Sequence, residues 1–433
     1  MKQDNRRTFL GTAAAAVLAR PALSVLGAND RINLAVVGIG GRGRDHIDEF
    51  AKQPQCRITA VCDVDQAGRE RGTAQVERLL GYKPKQYADM RELFQDKEVD
   101  AVSFATPNHW HALGAIWACQ AGKDVYVEKP PSHNVYEGRK MIEAARKYNR
   151  MVQVGSQSRS IGYVRRAMEL LGQGVIGKVY EARGLCFNPR KSIGHTPDEP
   201  IPPGINWDLF LGPAPMRPFS RNRFHYNWHW FWDTGNGDIG NQGIHEMDKA
   251  RWGLNRGLPK HVSSTGGKFI SVDDQETPNT QTATLDYGDC RITFEVRGLM
   301  TPGEGDVRRG DHFVGNIFFG SEGFLTLDSD GFRVYKGYKR ELVMEEKAGP
   351  DDETAPHMAN FLAACRSRNY RELTADIEIG VTSVALVHLA NISYRVGRRL
   401  TIDPDTWSIV NDSEAARLLT REYRAPYVVP EKV

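Results

Sequence analysis

The 433-residue sequence predicts an α/β protein: an N-terminal doubly wound parallel sheet, then a C-terminal α+β domain on a large, mostly antiparallel open sheet. Three observations carry that expectation. Ile32 to Gly43, INLAVVGIGGRG, joins a short branched apolar run to glycines spaced G-x-G-x-x-G. Strand-like and helix-like stretches then alternate as far as Val154. Beyond a loop-rich stretch, the chain turns to consecutive strand-like segments closed by two helical ones.

The run Ile32 to Val37 is bounded by charge before and glycine after, as a strand buried on both faces would be. Gly38 permits the tight turn at its end. Gly40 lets the main chain approach a pyrophosphate, and Gly43 lets the following helix pack on the strand. Helix amides from about Arg42 onward, just past Gly41, would face the anion, helped by the helix dipole. Such a glycine pattern by itself also fits an ordinary turn. A second branched run, Arg57 to Val61, ends in Cys62-Asp63, and Asp63 stands 20 residues past Gly43. An acid there would bind the ribose hydroxyls of an adenosine; the competing reading is a strand-end cap. Strand, glycines, helix and acid in that order predict dinucleotide binding. Asp63 favours NAD, because its carboxylate would repel a 2′-phosphate, while Arg42 and Arg44 leave room for NADP.

Length and composition set the outer bounds. A chain this long suits two or three domains of ~100–200 residues each. A net charge of +3 and the lack of a lysine-rich tract argue against nucleic acid as a partner. The six cysteines are scattered, with no C-x-x-C pair or zinc spacing, so no metal centre is expected. Cys62 and Cys119 lie in apolar runs and read as small buried side chains.

Residues 1–28 read as a targeting segment. Asn5-Arg6-Arg7-Thr8-Phe9-Leu10 places twin arginines ahead of the apolar run Thr12 to Leu18, the pattern of a bacterial twin-arginine export signal. Arg20 and Pro21 cut that run well short of the ~20 residues a membrane span needs, so no stable anchor is expected. A disordered basic tail is the competing reading. Cleavage is expected between Ser24 and Ala28, and the destination is periplasmic or otherwise extracytoplasmic. This route moves folded proteins, which suits an enzyme that acquires its cofactor in the cytoplasm.

Residues 30–154 form the first expected domain. Strands are expected near 32–37, 57–62, 99–104, 124–127 and 151–154, and helices near 42–52, 65–80, 89–95, 109–121 and 134–148. Ligands of such sheets bind outside the carboxyl ends of the strands, so the residues just past each strand matter most. After the third strand comes Ala105-Thr106-Pro107-Asn108-His109-Trp110-His111. Its Thr106, Pro107, Asn108 and His111 either line the nicotinamide side or merely cap a helix. After the fourth comes Glu128-Lys129-Pro130. Lys129 sits in a stiff turn between a strand end and two prolines. It would exchange a proton with a substrate hydroxyl if burial and neighbours lower its pKa toward neutrality. A surface lysine paired with Glu128 is the bland alternative.

The segments GIGGRG, TPNHWH and above all Glu128-Lys129-Pro130 resemble the Gfo/Idh/MocA family, named for glucose–fructose oxidoreductase and inositol dehydrogenase. The resemblance spans essentially the whole mature chain. It implies NAD(P)-dependent oxidation of a hydroxyl on a sugar, glycoside or polyol, with Lys129 at the active site. It also implies a C-terminal α/β domain, here 155–433, whose open sheet supports substrate and homo-oligomer contacts, as a dimer or tetramer. Family members usually carry D-x-x-x-H on a helix of that domain, its histidine contacting the reacting hydroxyl. His245 matches that histidine, and Asn241 stands in place of the aspartate. A neutral amide cannot relay a proton, so any assisting charge must come from Asp238, Asp248 or elsewhere. Asn241 can still hydrogen-bond a sugar hydroxyl from either side of its amide. A structural helix histidine is the competing reading of His245, and Asp248 with Arg251 at i, i+3 would form an ion pair.

In the second domain, strands are expected near 178–187, 260–272, 280–287, 290–298, 312–319, 323–328 and 332–336. The turn Tyr287-Gly288-Asp289-Cys290 joins two of them as a hairpin. Helices near 355–368 and 375–397 follow, and the apolar stripe of the second should pack back on the first domain. Between 188 and 258 lies the run Phe224 to Trp232, in which Tyr226, Trp228 and Trp230 offer faces for stacking on a pyranose ring. The same aromatics would equally anchor a long loop.

The expected function is therefore oxidation of a carbohydrate hydroxyl, Lys129 taking the proton and His245 polarising or relaying. Outside the cytoplasm no free nicotinamide pool recycles a released cofactor, so NAD is expected to travel tightly bound. That opens an alternative, because the resembled family includes glycosidases that oxidise, eliminate, hydrate and reduce back, with net hydrolysis. A third possibility is a sugar-binding protein that retains only the shell, against which Gly38, Gly40, Gly43, Asp63 and Lys129 all stand.

Overall fold

The computed structural model describes residues 31–299, 313–349 and 354–433. The expected export segment lies outside them. In the first domain the chain runs β1 (Ile32–Val37), α1 (Gly41–Ala51), β2 (Cys56–Cys62), α2 (Gln66–Leu80), β3 (Lys85–Tyr87), α3 (Met90–Gln95), β4 (Ala101–Phe104), α4 (Asn108–Gln120), β5 (Asp124–Val127), α5 (Val135–Lys147) and β6 (Val152–Val154). These strands form one parallel sheet in the order β3-β2-β1-β4-β5-β6. The order reverses between β1 and β4, and a doubly wound sheet opens its ligand crevice at such a point. Beyond the expected strands stands β3, which is only three residues long at the sheet edge, with no apolar run to announce it.

Short side chains set the helix starts. Asp65 accepts from Ala67 N at the start of α2, Asp89 from Arg91 N at α3, and Asn134 from Glu137 N at α5. The helices cover both faces of the sheet. Leu34, Val36, Ile47 and Phe50 fill one side, and Val102, Leu113, Ile116 and Val127 the other.

The second domain runs α6 (Gly162–Gly172), β7 (Val179–Phe187), α7 (Trp207–Leu211), α8 (Gly237–Asn241), α9 (Gly243–Leu254), β8 (His261–Gly267), β9 (Thr280–Asp286), β10 (Arg291–Arg297), β11 (Phe313–Gly320), β12 (Gly323–Asp328), β13 (Gly331–Lys336), β14 (Glu341–Lys347), α10 (Ala355–Ser367), α11 (Ile377–Val396), β15 (Leu400–Asp403) and β16 (Ser408–Ile409). Among the described residues its sheet has ten strands in the order β14-β13-β12-β11-β7-β10-β9-β8-β15-β16, and of these only β7 and β10 pair in parallel. The expected hairpin joins β9 to β10. The strand β14 escaped sequence reading because all seven of its residues are exposed, so it carries no buried face to give alternation.

The helix α11 packs on both domains, against α5 and β6 on one side and α9 and β8 on the other. It is long and apolar enough to cross a membrane, yet most of it is buried as a core helix. Two other segments also join the first domain's core: Met358, Phe361 and Leu362 of α10, and Tyr427, Val429 and Val433 of the tail. The chain's last quarter thus braces both domains. All six cysteines are buried and unpaired.

Candidate active site

The glycine turn is built as its spacing requires. Gly38 has φ +85°, and a Cβ there would lie 2.7 Å from the carbonyl oxygen of Ala105. A Cβ on Gly43 would lie 1.8 Å from Gly38 O, so α1 reaches β1 only because residue 43 has no side chain. Asp63 ends β2 with its Oδ2 accepting from Ile39 N at 2.5 Å and its Oδ1 from Asp65 N at 2.9 Å. Burial raises its pKa against those two amides. It is therefore both the strand-end cap and part of the cleft wall.

That cleft has a volume of about 260 Å³ and opens at the reversal of the strand order. Gly38, Gly40, Gly41, Arg42 and Asp63 line one end, and Thr106, Pro107, Asn108, His111, Glu128 and Lys129 the other. Pro107 and Asn108 start α4 while facing the cleft, and no side chain of this stretch caps the helix. His111 bridges the two loops, with Nδ1 2.7 Å from Pro130 O and Nε2 2.8 Å from Thr106 O. Burial holds its pKa down against the pull of those carbonyls.

Glu128 is a buried anion that organises the wall. Its Oε1 accepts from Arg42 Nε at 2.8 Å, from His46 Nε2 at 3.0 Å and from Gln157 Nε2 at 3.0 Å. Its Oε2 accepts from the Lys129 amide at 3.1 Å. Burial alone would raise its pKa, but Arg42 and the His46 bond outweigh that and hold it well below the usual range. Arg42 is thereby turned inward, and Arg44 Nε lies 3.4 Å from Gln75 Oε1.

Lys129 is not the exposed half of a pair with Glu128. Its side chain is largely buried, and Nζ donates to the carbonyl of Asn241 at 2.9 Å. Burial lowers its pKa, and Arg42 adds to the effect against the opposing pull of Glu128. Asn241 ends α8, and its Nδ2 donates to Tyr226 Oη at 3.1 Å and to Asp238 Oδ1 at 3.4 Å. Asp238 is gripped by Arg190, through Nη2 at 2.9 Å and Nε at 3.2 Å. Of the two nearby carboxylates, then, Asp238 stands beside Asn241. Asp248 is committed elsewhere: it pairs with Arg159 at 2.7 Å and accepts from Ser383 Oγ at 2.5 Å. The expected Asp248–Arg251 ion pair is corrected accordingly. The guanidinium of Arg251 donates to Ser383 Oγ at 2.8 Å, because that hydroxyl lies between them.

His245, in the first turn of α9, is half-buried and does not line the cleft. Its imidazole makes no hydrogen bond among the described residues. Burial and the Lys129 cation hold its pKa well below the ordinary histidine value.

Of the three aromatics, Tyr226 is half-exposed and lines the cleft beside Asn241. Trp228 reaches the cleft wall but is buried, stacked at 3.5 Å on His229 and packed among Trp207, Phe210 and Phe219. Trp230 does not line the cleft. It is buried edge-on to Tyr226 with the Arg190 guanidinium over its ring, which is the loop-anchoring role.

Several wall residues had no motif to mark them. Val64, Ala88, Asp89 and Met90 line the Asp63 end, while Leu209 and Phe210 come from α7 and His225 from the loop beyond it. His109 and Trp110 clamp α7, through Nε2 to Phe210 O at 2.9 Å and Nε1 to Leu209 O at 2.8 Å. Histidine and tryptophan side by side on a new helix were the only sequence sign of it.

The cleft fits a dinucleotide on its own evidence. Gly38 and Gly43 admit no side chain, the space beside Gly41 is open with nothing within 4 Å of a Cβ there, and Thr106 Oγ1 is buried with no partner among the described residues. Fold and site together define an NAD-binding oxidoreductase with a separate C-terminal domain. Residues 32–156 match the family model for the oxidoreductase family's NAD-binding Rossmann fold, and residues 170–286 and 322–429 match that for its C-terminal alpha/beta domain. The chain belongs to the Gfo/Idh/MocA oxidoreductase family.

An uncharacterized oxidoreductase of Streptococcus pneumoniae is 27% identical over 337 residues, 74% of this chain and 76% of its own. A glycosyl hydrolase family 109 protein of Shewanella sp. is 27% identical over 157 residues, 35% of this chain and 34% of its own. Inositol 2-dehydrogenase of Salmonella typhimurium is 32% identical over 160 residues, 36% of this chain and 46% of its own. The chain thus spans less than half the length of these last two. The structure of levoglucosan dehydrogenase in complex with NADH and L-sorbose superposes with a TM-score of 0.67 at 18% identity, over 86% of this chain and 99% of that one. At that identity the likeness shows the fold.

Proposed function

We propose that the protein uses NAD to oxidise, or transiently oxidise, a hydroxyl of a sugar, glycoside or polyol. The observation that carries this reading is Lys129 Nζ, held by Asn241 O at 2.9 Å in the cleft, with its pKa lowered by burial. Bound nicotinamide would supply the hydride acceptor at the Thr106 to Lys129 end of the cleft. Lys129, in its neutral form, takes the proton of the substrate hydroxyl as general base. Asn241 and Tyr226 orient the sugar by hydrogen bonds, and His245 of α9, outside the cleft wall, would reach the reacting oxygen only if its side chain turned toward the cleft on substrate binding. Asp63 supports NAD over NADP, and the inward turn of Arg42 takes away one candidate for binding a 2′-phosphate.

The relative in glycosyl hydrolase family 109 favours a second reading, in which the same oxidation begins a cycle that ends in net hydrolysis. Purified protein offered a panel of polyols and aryl glycosides separates the two. Accumulating reduced nicotinamide marks a dehydrogenase, and aglycone release without it marks a glycosidase. Neither outcome on any substrate would overturn both.

The twin arginines at Arg6-Arg7 further support export of the folded protein to the periplasm or beyond, with NAD carried tightly bound. The family's use of the open sheet supports assembly as a homo-oligomer.

A further inference from the structure

His225 lies in the second domain, yet its ring rests on the first domain's glycine turn. A Cβ built on Gly40 would lie 2.5 Å from His225 Cε1 and 3.2 Å from Nε2. Gly40 is the glycine that lets a pyrophosphate approach the main chain. The imidazole is exposed and makes no hydrogen bond among the described residues.

The segment that presents it is firmly tied down. Gln66 N donates to Gly204 O at 2.9 Å and Asn206 N to Val64 O at 3.0 Å, beside Asp63. Phe224, immediately before His225, packs on Phe210 at 5.0 Å and on Phe219 at 5.9 Å. On its other side, Tyr226 accepts from Asn241 Nδ2. The strap is thus fixed at both ends, while the ring between them, edge-on to Phe224 at 5.2 Å, makes no hydrogen bond through either nitrogen among the described residues.

We infer that His225 is a pyrophosphate-binding residue of the dinucleotide site, contributed by the second domain as a clamp over the glycine turn. An imidazole N–H donated to a phosphate oxygen from above complements the amides of α1 below. The ligand class it recognises is the diphosphate of an ADP-ribosyl group. The clamp deepens the reading that NAD is carried tightly bound, and rests on it. To leave the cleft, the cofactor must break a contact that bridges both domains.

The test uses NAD-loaded protein and follows NAD release in the wild type, His225→Ala and His225→Gln. His225→Ala should release NAD roughly 10- to 100-fold faster, the range for losing a hydrogen bond to a charged group. His225→Gln keeps an N–H donor and should fall between. With the cofactor removed, His225→Ala should weaken ADP-ribose by a similar factor and leave adenosine, which lacks phosphate, unchanged. Unchanged release and ADP-ribose affinity would overturn the assignment. So would an equal loss for adenosine, which would make His225 a loop-shaping residue. Rapid loss of NAD by the wild type would overturn tight retention alone, because the ADP-ribose comparison still decides the role of His225.

Discussion

Lys129 Nζ donates to the main-chain carbonyl of Asn241 at 2.9 Å, across 112 positions of sequence and the boundary between the two domains. The contact does not depend on the side chain at 241, because a main-chain carbonyl is present whatever that side chain is. With a neutral asparagine there, the charge around Lys129 comes from its other neighbours. Among the charged neighbours of Lys129, Glu128 and Asp238 raise its pKa, but burial and Arg42 outweigh them.

If Lys129 is the general base, Lys129→Ala should lose roughly 10²–10⁴ in turnover with bound NAD retained. Its folded pKa lies below the ordinary lysine value, so the neutral base fills in as pH rises through that lowered value. Oxidation should rise with pH there and level off above. Lys129→Arg, protonated at every working pH, should be as inactive as the alanine variant. A full-rate Lys129→Ala enzyme with cofactor in place would sink the mechanism.

Asn241→Asp should move that rise to higher pH. The new carboxylate would sit about where Nδ2 now stands, 3.4 Å from Asp238 Oδ1 and close to the lysine. An added negative charge stabilises the ammonium and imidazolium forms of Lys129 and His245. The pH–rate profile of the variant measures the shift; an unmoved profile would place residue 241 outside the proton-transfer path.

Asp63→Ala should weaken NAD and lower stability together. The carboxylate ties Ile39 N and Asp65 N, and leaving such amides without an acceptor costs about 1–3 kcal/mol. Asp63→Asn keeps an acceptor but no charge, so it should retain more stability while narrowing the preference for NAD over NADP. Titration with both cofactors beside melting curves separates the two roles. Intact NAD affinity in both variants would reduce Asp63 to a cap.

The legible part of this molecule is the part written in short-range patterns. The glycine turn, Asp63, the parallel strands and Lys129 at a strand end each follow from spacing or from a run of apolar residues. The rest depends on contacts between distant segments. The Phe224 to Trp232 run has one composition but three fates: Tyr226 faces the cleft, Trp230 anchors the loop, and His225 lies on Gly40. No periodicity distinguishes them, because the loop has none. Asp248 likewise had a helical neighbour at the right spacing, yet took Arg159 from another element, with better geometry in a buried setting.

Changing Arg6 and Arg7 to lysines should hold the protein in the cytoplasm while leaving fold and bound cofactor intact, because the twin-arginine route reads that pair. Cell fractionation is the measurement. Normal export of the variant would mean that another route carries it.

Stability should fall on mild acidification. Burial drives His109, His229 and His388 down to about 3 and His357 to about 4, from an ordinary value of 6.5. Between those values the unfolded chain binds more protons than the folded one, so stability rises with pH across the window and is lost as pH falls from 6.5 toward 4. Each such histidine contributes a limiting slope of about 1.4 kcal/mol per pH unit. Glu137 opposes them. Burial raises it to about 7, so its neutral form favours folding as pH falls from 7 toward 4.5. These four, joined by His46, His111, His133 and His245, which burial shifts in the same direction, leave the balance with the histidines. Denaturation midpoints at pH 7.5, 6.5 and 5.5 should therefore decline. Replacing His388, whose Nε2 lies 3.2 Å from Ser132 Oγ in the packing of α11 on the first domain, should flatten the slope by about one proton. His388→Gln preserves a polar partner for that serine, which separates lost titration from lost packing. Midpoints that hold constant from pH 7.5 to 5.5 would show that these imidazoles are hydrated in the folded protein and titrate as they do in the unfolded chain.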